Sequence, residues 1–456
     1  MEPEIASLLA CPACGGELHQ LPSDELACVA CRREYPQLDG TPWLFAEPEL
    51  AMAEWRTRLR LLIEHLRRDA ALYRRELARE PLQALTRRRL SLLADALDDH
   101  AGRIEGLLVP LAADARREPL EVLLALGTQL PASQGLSTYY ANVHRDWAWG
   151  AAENAAAANM VTAVLQPGGP ARRMLVLGAG AGRLAFDLHQ ARTSATTVAL
   201  DFNPLLVAIA RRVSSGERVA LYEFPIAPRR IEDHAALREL EAPEPARPGL
   251  AFVLGDGLMA PFQPAAFDVV LTPWFADIVP DELPVLMRRI NHLLVPGGRW
   301  AFFGSLAWAD RAPASCYSLE ELLALAPAAG FEPGPALERP IPYMQSPASR
   351  HARLESTIAF AAVKRHDVPQ PPRARLLPEW LERTDVPVPA LPEFREQSLS
   401  TRVYAFIMAM IDGRRSIEDM AVLMQEQRLM TKADAVPAIR QFLARMQDDA
   451  KRRANF

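Results

Sequence analysis

Two groups of residues have side chains and spacings that could do chemistry. The first is a pair of Cys-x2-Cys motifs, Cys11–Cys14 and Cys28–Cys31, arranged as Cys-x2-Cys-x13-Cys-x2-Cys. Two such turns direct four thiolates at one ion, which is the ligand set of a tetrahedral zinc site. Because four sulfur ligands leave no position for water, the spacing predicts structural rather than catalytic zinc.

The second group is a glycine loop followed by an acid. Gly178, Gly180 and Gly182 follow the apolar run Met174–Leu177 and precede an amphipathic helical pattern. Glycines let the backbone approach a ligand closely, and the N–H groups at the start of a helix favour a polar or negatively charged group. A second apolar run ends at Asp201, about 20 residues after the loop, where a carboxylate can accept the hydroxyls of a ribose. The pattern indicates a nucleoside site.

The glycine spacing separates two kinds of nucleoside site. A dinucleotide fingerprint has its third glycine three residues after the second, but that position is Arg183 here and the third glycine comes earlier, at Gly182. This spacing fits S-adenosylmethionine better. The later landmarks are Gly255-Asp256 after the apolar run 250–254, a strand-like run over 267–272, a helical pattern over 283–294, a Pro-Gly-Gly turn over 295–298 and a strand-like run over 299–303.

In this order, these landmarks resemble class I methyltransferases that use S-adenosylmethionine (SAM). The resemblance implies an α/β domain with a Rossmann-like, doubly wound and mostly parallel sheet. A Rossmann-like domain that has lost its ligand is the alternative. The cysteine segment, through about residue 46, resembles the small zinc-ribbon proteins that activate methyltransferases, which implies a ribbon fused in cis. No basic recognition helix follows it, so a DNA-binding finger is not favoured.

The composition limits the binding partners and the compartment that we expect for this protein. The chain has 456 residues and a net charge of −5, which gives no general attraction to nucleic acid or to an anionic membrane. It shows no signal peptide and no apolar run of about 18 residues, so we expect a soluble cytoplasmic protein without a membrane partner. In that compartment, paired cysteines favour metal over disulfides.

The chain divides into five predicted segments. They are a zinc ribbon (1–46), a helical segment (47–135), the methyltransferase domain (136–366), a proline-rich linker with a short helix at 379–383 (367–393) and a small helical domain (394–456). Arginine clusters in the helical segment alternate with acids and predict solvated faces, with phosphate or tRNA binding as the alternative. The last segment resembles winged-helix peptide-recognition modules, which would give it a peptide or protein partner; dimerisation is the alternative.

A narrower resemblance comes from the segment before the glycine loop. Arg145-Asp146-Trp147, followed by the loop Gly178–Leu184, resembles the carnosine N-methyltransferase family. The resemblance implies that Arg145 helps to hold SAM. The residues expected to hold SAM are Asn142, Arg145, Gly178, Ala179, Gly180, Gly182, Asp201, Phe202, Asp256, Gly257 and Thr272.

The same family places its acceptor beside the end of the fourth strand. Here Thr272–Asp277 supplies Trp274, Phe275 and Asp277, and the resemblance implies that these residues contact an imidazole. Asp277 is the predicted catalytic residue, because its carboxylate could accept one imidazole N–H and present the other nitrogen to the methyl group. In the alternative, Asp277 caps a helix that starts near residue 280.

Departures from the family pattern argue against carnosine itself. The family's substrate-binding histidine falls at Trp308-Ala309, and its tyrosines are replaced by residues 351–354. The remaining candidates for substrate contact lie in the polar segment 343–351; they are Tyr343, Gln345, Ser346, Arg350 and His351. Arg350 could bind a carboxylate, and His351 could act as a hydrogen-bond partner or base.

The sequence therefore predicts a SAM-dependent N-methyltransferase with a structural zinc ion. Its acceptor would be an imidazole nitrogen in a histidine derivative or a histidine-containing peptide. Two alternatives stay open: an RNA or protein methyltransferase of another class, and a non-catalytic scaffold that binds a partner.

Overall fold

The computed structural model describes residues 2–79, 81–112, 135–279, 282–308, 312–371 and 387–453. The chain forms two compact units, Met1–Ala374 and Arg375–Phe456. The predicted ribbon, helical segment and methyltransferase domain thus lie in one unit, and their finer boundaries stay predictions. The predicted short helix at 379–383, and the end of the helical segment beyond residue 112, lie outside the described residues.

The ribbon is built from short elements that end in the main sheet. Its elements are α1 (Pro3–Ala6), β1 (Leu18–Gln20), β2 (Leu26–Cys28), β3 (Glu34–Tyr35), β4 (Gln37–Leu38) and β5 (Thr41–Leu44). β1, β2 and β3 form an antiparallel sheet of three strands. β5 pairs with β4 on one side and joins the edge of the large sheet on the other, with Trp43 opposite Leu254.

The described part of the helical segment contains three helices, as predicted. They are α2 (Pro48–Leu77), α3 (Ala84–Leu107) and α4 (Val109–Ala112). Its apolar residues pack inward: Trp55, Leu59, Ile63 and Ile104 belong to the main core. Many of its arginines pair with carboxylates, as a solvated face would require. The pairs are Arg67 with Glu105, Arg74 with Asp98, Arg88 with Glu232 and Arg103 with Asp99.

The large sheet contains ten strands in a mostly parallel arrangement. The strands after the ribbon are β6 (Ala171–Leu177), β7 (Ser194–Asp201), β10 (Leu250–Gly255), β11 (Phe267–Pro273), β12 (Leu294–Gly304), β13 (Phe331–Pro333), β14 (Leu337–Tyr343) and β15 (Arg353–Lys364). β15 runs antiparallel to β12, β13 and β14. A hairpin of β8 (Val219–Glu223) and β9 (Ala236–Leu240) is inserted before β10.

Helices cover both faces of this sheet, as a doubly wound fold requires. They are α5 (Tyr140–His144), continued by a π-helix (Arg145–Trp149), α6 (Ala151–Leu165), α7 (Arg183–Gln190), α8 (Pro204–Ser214), α9 (Leu283–Leu293) and α10 (Leu319–Leu325). The strand order places β6 beside both β7 and β11, so the chain direction across the sheet reverses between β6 and β11. Ligands of open α/β sheets bind at such a switch point, beyond the carboxyl ends of the strands.

One predicted turn is wrong. Residues 295–298 were expected as a turn before the fifth strand, but they lie inside β12. Leu294 pairs with Phe267 of β11, and the next paired residue of β12 is Arg299, opposite Val269. The Pro-Gly-Gly residues between them therefore form an irregularity in a continuous strand. Glycine permits this, because Gly297 adopts a φ of +75°.

The second unit is helical over its described residues, with α11 (Pro392–Ala409), α12 (Ile417–Glu426) and α13 (Lys432–Arg453) around its own core. Asp412 forms a turn between α11 and α12 by accepting the amide N–H groups of Arg414 and Arg415. A winged helix needs a β-hairpin. Residues 387–453 contain no strand, so the observed arrangement is a helical cluster.

Candidate active site

The glycine loop follows β6 directly and has a left-handed backbone at all three glycines. The φ angles of Gly178, Gly180 and Gly182 are +70°, +56° and +82°. The amides of Gly178 and Ala179 donate to the carbonyl of Leu200 at the end of β7, which ties the loop to the neighbouring strand. A Cβ atom added to Gly180 would meet nothing within 4 Å, so this glycine faces open space.

Asp201 ends β7 beside this loop. Its Oδ2 accepts the amide of Gly180 at 2.8 Å and its Oδ1 accepts the amide of Asn203 at 2.9 Å. Burial raises the pKa of the carboxyl group, and these backbone donors oppose the increase. The next residue, Phe202, packs against Trp55 of α2 at 5.8 Å between ring centroids, so the helical segment reaches this end of the sheet.

Asp256 and Gly257 lie in the turn after β10. The Asp256 carboxylate accepts the amide of Leu258 at 2.8 Å and caps the short helical turn Gly257–Met259. The ribbon holds the residues that follow, because the amide of Ala10 donates to Pro261 and the amide of Gln263 donates to Leu8. The ribbon therefore supports the turn that was expected to bind the adenosine part of SAM.

Phe275 lies between the glycine loop and this turn. A Cβ atom on Gly178 would come within 2.5 Å of its ring, and one on Gly257 within 2.7 Å. The side chain is 7% exposed and belongs to the hydrophobic core. The prediction gave Phe275 to the acceptor, but its ring forms part of the floor between the two expected SAM-binding loops.

The Thr272 side chain makes its hydrogen bonds within the sheet. Its side chain is fully buried, its hydroxyl donates weakly to the carbonyl of Ala301, and it accepts the indole N–H of Trp300 at 2.9 Å. Both partners belong to β12, so the side chain faces the neighbouring strand rather than the crevice that was expected to hold SAM.

Asp277, Trp274 and Tyr343 are three of the residues predicted to contact the acceptor. The centroids of the Trp274 and Tyr343 rings lie 5.3 Å apart. The Arg353 guanidinium lies over the Tyr343 ring, 4.4 Å from its centroid. Asp277 is 7% exposed, and its Oδ2 accepts the amide of Ala307 at 3.0 Å. The next helix, α9, begins at Leu283 with Glu282 as its N-cap residue, so Asp277 does not cap it.

Trp274 has a strained backbone, with a φ of +50°. A bulky residue in the left-handed region costs on the order of 1–3 kcal/mol, and such strain clusters at functional sites. The amide of Trp274 donates to Phe303 at 2.7 Å, which fixes this conformation from the adjacent strand.

Arg145 lies in a buried ion-pair network. Its guanidinium contacts Asp146 at 2.7 Å and Glu153 at 3.3 Å. Glu153 also accepts the amide of Met344, and the indole N–H of Trp147 donates to Ala181 in the glycine loop at 2.8 Å. The segment around Arg145 therefore packs on the loop, but the guanidinium already has two carboxylate partners. Asn142 lies half-buried one turn earlier.

The segment 345–351 is fastened to the insertion before β10. The amide of Arg229 donates to Ala348 at 3.0 Å, and the amide of Arg350 donates to Ala227 at 2.9 Å. The Arg350 guanidinium donates to the carbonyls of Pro228 and Arg229. We call this pair of loops, residues 226–229 and 346–350, the strap. A substrate carboxylate would have to compete with two carbonyls for Arg350.

The other predicted acceptor residues of this segment differ in accessibility. Ser346 is buried, and its hydroxyl accepts the amide of Ala348 as part of a local turn. Gln345 is exposed and donates to the carbonyl of Arg353 at 3.3 Å. His351 is exposed. Thus the structure brings Tyr343 to Trp274 but leaves His351 at the surface.

Two residues of this region were missed by the sequence interpretation. Glu153 holds Arg145 from the next helix, across a π-helical segment whose irregular spacing hides the pairing. Tyr139 is an exposed residue just before α5, with a φ of +61°. Its sequence neighbours give no signal of this backbone conformation.

The four cysteines form one cluster, as their spacing predicts. Their sulfur atoms all lie within 4.8 Å of one another, a donor set that fits a tetrahedral metal ion. The hydroxyl of the fully buried Tyr35 lies 2.9 Å from the Cys11 sulfur, so a hydrogen bond also links the ribbon core to this cluster.

The comparisons with known proteins agree with the geometry. A methyltransferase domain family matches residues 175–302, from β6 to β12. No curated protein sequence matches the chain. Together the doubly wound fold, the glycine loop and the match over residues 175–302 show that the chain contains a SAM-dependent methyltransferase domain.

Among solved structures, a methyltransferase from Bacillus halodurans C-125 is 14% identical, with 46% of this chain and 100% of that chain covered and a TM-score of 0.33. A chain of the complex between the Haloferax volcanii Trm112 methyltransferase activator and a methyltransferase is 16% identical, with 51% and 98% covered and a TM-score of 0.33. Haemonchus contortus phosphoethanolamine N-methyltransferase 2 is 14% identical, with 52% and 58% covered and a TM-score of 0.33.

Proposed function

We propose that the protein transfers a methyl group from SAM to an imidazole nitrogen of a histidine derivative or a histidine-containing peptide. The observation that carries this proposal is Asp277, a buried carboxylate in the turn after β11, three residues beyond Trp274, whose ring packs on Tyr343. A carboxylate there would accept one imidazole N–H, and the aromatic rings would pack on the planar heterocycle. This arrangement follows from the resemblance to carnosine N-methyltransferases in residues 272–277.

The residues beyond β6, β7 and β10 fit SAM. Gly180 leaves room for a ligand, Asp201 would accept the ribose hydroxyls, and Asp256 with Gly257 would face the adenine. Arg145 would contribute through its network with Glu153 rather than as an isolated cation. When bound, SAM would supply an electrophilic methyl group from its sulfonium, and the electron pair of the methyl–sulfur bond would stay on sulfur.

The chain's own residues would prepare the acceptor. Asp277 would hold the N–H of one imidazole nitrogen, so the in-plane lone pair of the other nitrogen stays unprotonated. When that nitrogen gains the methyl group, the imidazole becomes cationic, and the Asp277 carboxylate stabilises the charge until the proton is lost to solvent. Orientation and exclusion of water supply the remaining acceleration.

Two observations favour a small acceptor over RNA or a folded protein. The strap joins the insertion before β10 to the segment that follows Tyr343, so two joined loops would narrow access to an acceptor bound beside that residue. The arginines of α2 and α3 that were the candidates for RNA binding pair with carboxylates, which lowers their attraction for phosphate. Carnosine itself stays disfavoured, since Trp308 occupies the position of the family's histidine and donates to Tyr317.

The cysteine cluster supports the second part of the proposal, a structural zinc ion. Four thiolates would hold the ion, which would then fix the ribbon whose residues 8–10 contact the turn after β10.

No helix in the described ranges is long and apolar enough to span a membrane.

The test is methyl transfer to a panel of histidine, histidine dipeptides and histidine-rich peptides, followed by mass spectrometry, with SAM binding measured by calorimetry. We expect at least one imidazole to be methylated, and Asp277→Asn to abolish transfer while SAM still binds. The matched control is Asp268→Asn at the opposite end of β11, where an amide oxygen can still accept the N–H of Arg173. SAM binding without any imidazole methylation would overturn the acceptor.

A further inference from the structure

A tyrosine of the ribbon lies against the cysteine cluster. Tyr35 belongs to β3, opposite Leu26 of β2, and its side chain is fully buried. Its hydroxyl oxygen lies 2.9 Å from the sulfur of Cys11, which is itself 1% exposed. A hydroxyl in a protein core needs a hydrogen-bond partner, because burial removes it from water. The partner of this hydroxyl is one of the four predicted zinc ligands.

The direction of this hydrogen bond follows from the chemistry of the ligand. A cysteine that binds zinc is a thiolate and has no proton to donate. With zinc bound, the Tyr35 hydroxyl must therefore donate and the Cys11 sulfur must accept. Four thiolates around one divalent ion leave an excess of negative charge, which is costly to bury. A donor aimed at the buried sulfur offsets part of this cost.

Two other sulfur atoms of the cluster have backbone donors. The amide of Gly16 lies 3.4 Å from the Cys14 sulfur, and the amide of Cys31 lies 3.5 Å from the Cys28 sulfur. These donors belong to the turns that carry the ligands. Tyr35 differs from them, because it lies on a separate strand and its ring packs in the core that the ribbon shares with β6, β7 and β10. Its hydrogen bond thus joins the cluster to that core.

We propose that Tyr35 is a positioning residue of the zinc site, which donates a hydrogen bond to the Cys11 thiolate and thereby slows the release of the ion. This inference rests on the structural zinc of the proposed function. Loss of a hydrogen-bond partner of a metal ligand typically lowers metal affinity by about 10- to 100-fold. Without the Tyr35 hydroxyl, the four cysteines would still bind zinc, but less tightly.

The test compares Tyr35→Phe with the wild type in the zinc-loaded, full-length protein. Phenylalanine keeps the buried ring and removes only the hydroxyl. Transfer of zinc to a chromogenic chelator should become about tenfold faster. In the cobalt-substituted variant, the sulfur-to-cobalt charge-transfer band should move to longer wavelength, because a thiolate that accepts no hydrogen bond is a stronger electron donor.

The matched control is Tyr140→Phe, which also loses one hydroxyl hydrogen bond. The Tyr140 hydroxyl donates to the carbonyl of Tyr222 at 2.8 Å, outside the ribbon. This variant should change neither the rate of zinc transfer nor the cobalt spectrum.

The outcomes separate this inference from the proposed zinc site. If the wild-type protein holds no stoichiometric zinc, the zinc site and the inference fail together. If the wild type holds zinc and Tyr35→Phe releases it no faster than Tyr140→Phe, only the inference is wrong. Faster release with an unmoved cobalt band would also overturn the inference, because Tyr35 would then act through packing alone.

Discussion

At the scale of single residues, the three loop glycines share a backbone conformation but differ in surroundings. A side chain on Gly182 would come within 2.8 Å of Phe252 and 2.9 Å of Ala210, both in the core. A side chain on Gly180 would enter open space. Gly182 is therefore needed for packing as well as for its positive φ, whereas Gly180 is needed for its positive φ and for the space beside it.

This contrast predicts different defects for two alanine variants. Gly182→Ala should lower the free energy of unfolding by about 2–4 kcal/mol, since it adds a core clash to left-handed strain. Gly180→Ala should cost about 1–2 kcal/mol of strain but should weaken SAM binding more strongly. Urea unfolding and calorimetry on both variants check this. Equal losses of stability in the two variants would contradict it.

The site residues divide into those that local spacing reveals and those that only the fold reveals. The loop glycines and Asp201 are readable because strand, loop and following acid are consecutive in the sequence. Thr272 and Arg350 are not, since the direction of a side chain depends on which neighbouring strand or loop packs beside it.

At the scale of elements, the strap joins two loops that are distant in sequence. Antiparallel contact between Pro228 and Ser349 is reinforced by the backbone bonds of Arg229 and by both terminal nitrogens of Arg350. The hairpin of β8 and β9 that carries one of these loops is anchored to α3, where Arg103 donates to the carbonyl of Ala220.

Loss of the Arg350 guanidinium should loosen the strap. In Arg350→Ala, two charge-assisted hydrogen bonds are lost, which we expect to cost about 1–2 kcal/mol of local stability. Trypsin should then cut after Arg229 and Arg230 several times faster than in the wild type, as followed by mass spectrometry. The control is Arg365→Ala, whose exposed ion pair with Glu332 lies outside the strap. Unchanged cleavage after Arg229 would show that Arg350 does not hold the strap.

A second contact between elements buries two histidines, one in α3 and one in α5. His100 of α3 lies 5.3 Å from Tyr140 and 5.4 Å from Phe224 between ring centroids, and His144 lies 5.2 Å from Tyr140. The Nε2 of His144 faces the carbonyl of Tyr222, so it carries the proton. Neither Nδ1 has a hydrogen-bond partner among the described residues. Burial lowers the pKa of each imidazole to about 4.

These histidines should make stability fall in acid. Unfolded imidazoles take up protons below about pH 6.5 but the buried ones only near pH 4, so folding loses stability as the pH drops across that window. The loss is on the order of 3 kcal/mol per histidine. His100→Phe should remove about half of it, measured as the free energy of unfolding against pH. The control is the exposed His19→Gln, and an unaltered pH dependence in His100→Phe would refute the assignment.

At the scale of the whole molecule, the ribbon is continuous with the methyltransferase sheet rather than appended to it. β5 extends the parallel sheet beyond β10, and a Cβ atom on Gly255 would come within 2.8 Å of the Leu44 carbonyl. Tyr35 and Leu44 share a core with strands β6, β7 and β10. Disruption of the ribbon should therefore also alter the structure of the crevice expected to hold SAM.

Removal of one cysteine ligand tests this coupling. Cys28→Ser should abolish stoichiometric zinc, lower the Tm by several degrees and weaken SAM binding, because the ribbon supports the turn that carries Asp256. Zinc content, thermal unfolding and calorimetry measure the three effects. Cys316→Ser is the matched control, since that exposed thiol lies outside the cluster. If Cys28→Ser behaves like Cys316→Ser, the ribbon does not depend on a metal.

Much of the fold was predictable because buried parallel strands are continuous apolar runs. Every strand predicted from β6 to β11 is present, and the observed β6 and β7 extend beyond the predicted runs. The union of ribbon and sheet was not predictable, since the short run Thr41–Leu44 carries no sign of its partner. The helical nature of residues 387–453 was predicted, but helical spacing did not exclude the hairpin of a winged helix.

The most direct test of the central claim uses SAM with a trideuterated methyl group and a histidine dipeptide as acceptor, with the product analysed by mass spectrometry and NMR. We predict that the dipeptide gains the mass of one trideuteromethyl group on an imidazole nitrogen, and that Asp277→Asn stops the transfer while the Asp268→Asn control does not. A label found on an amine or carboxylate, or transfer that persists in Asp277→Asn, would contradict it.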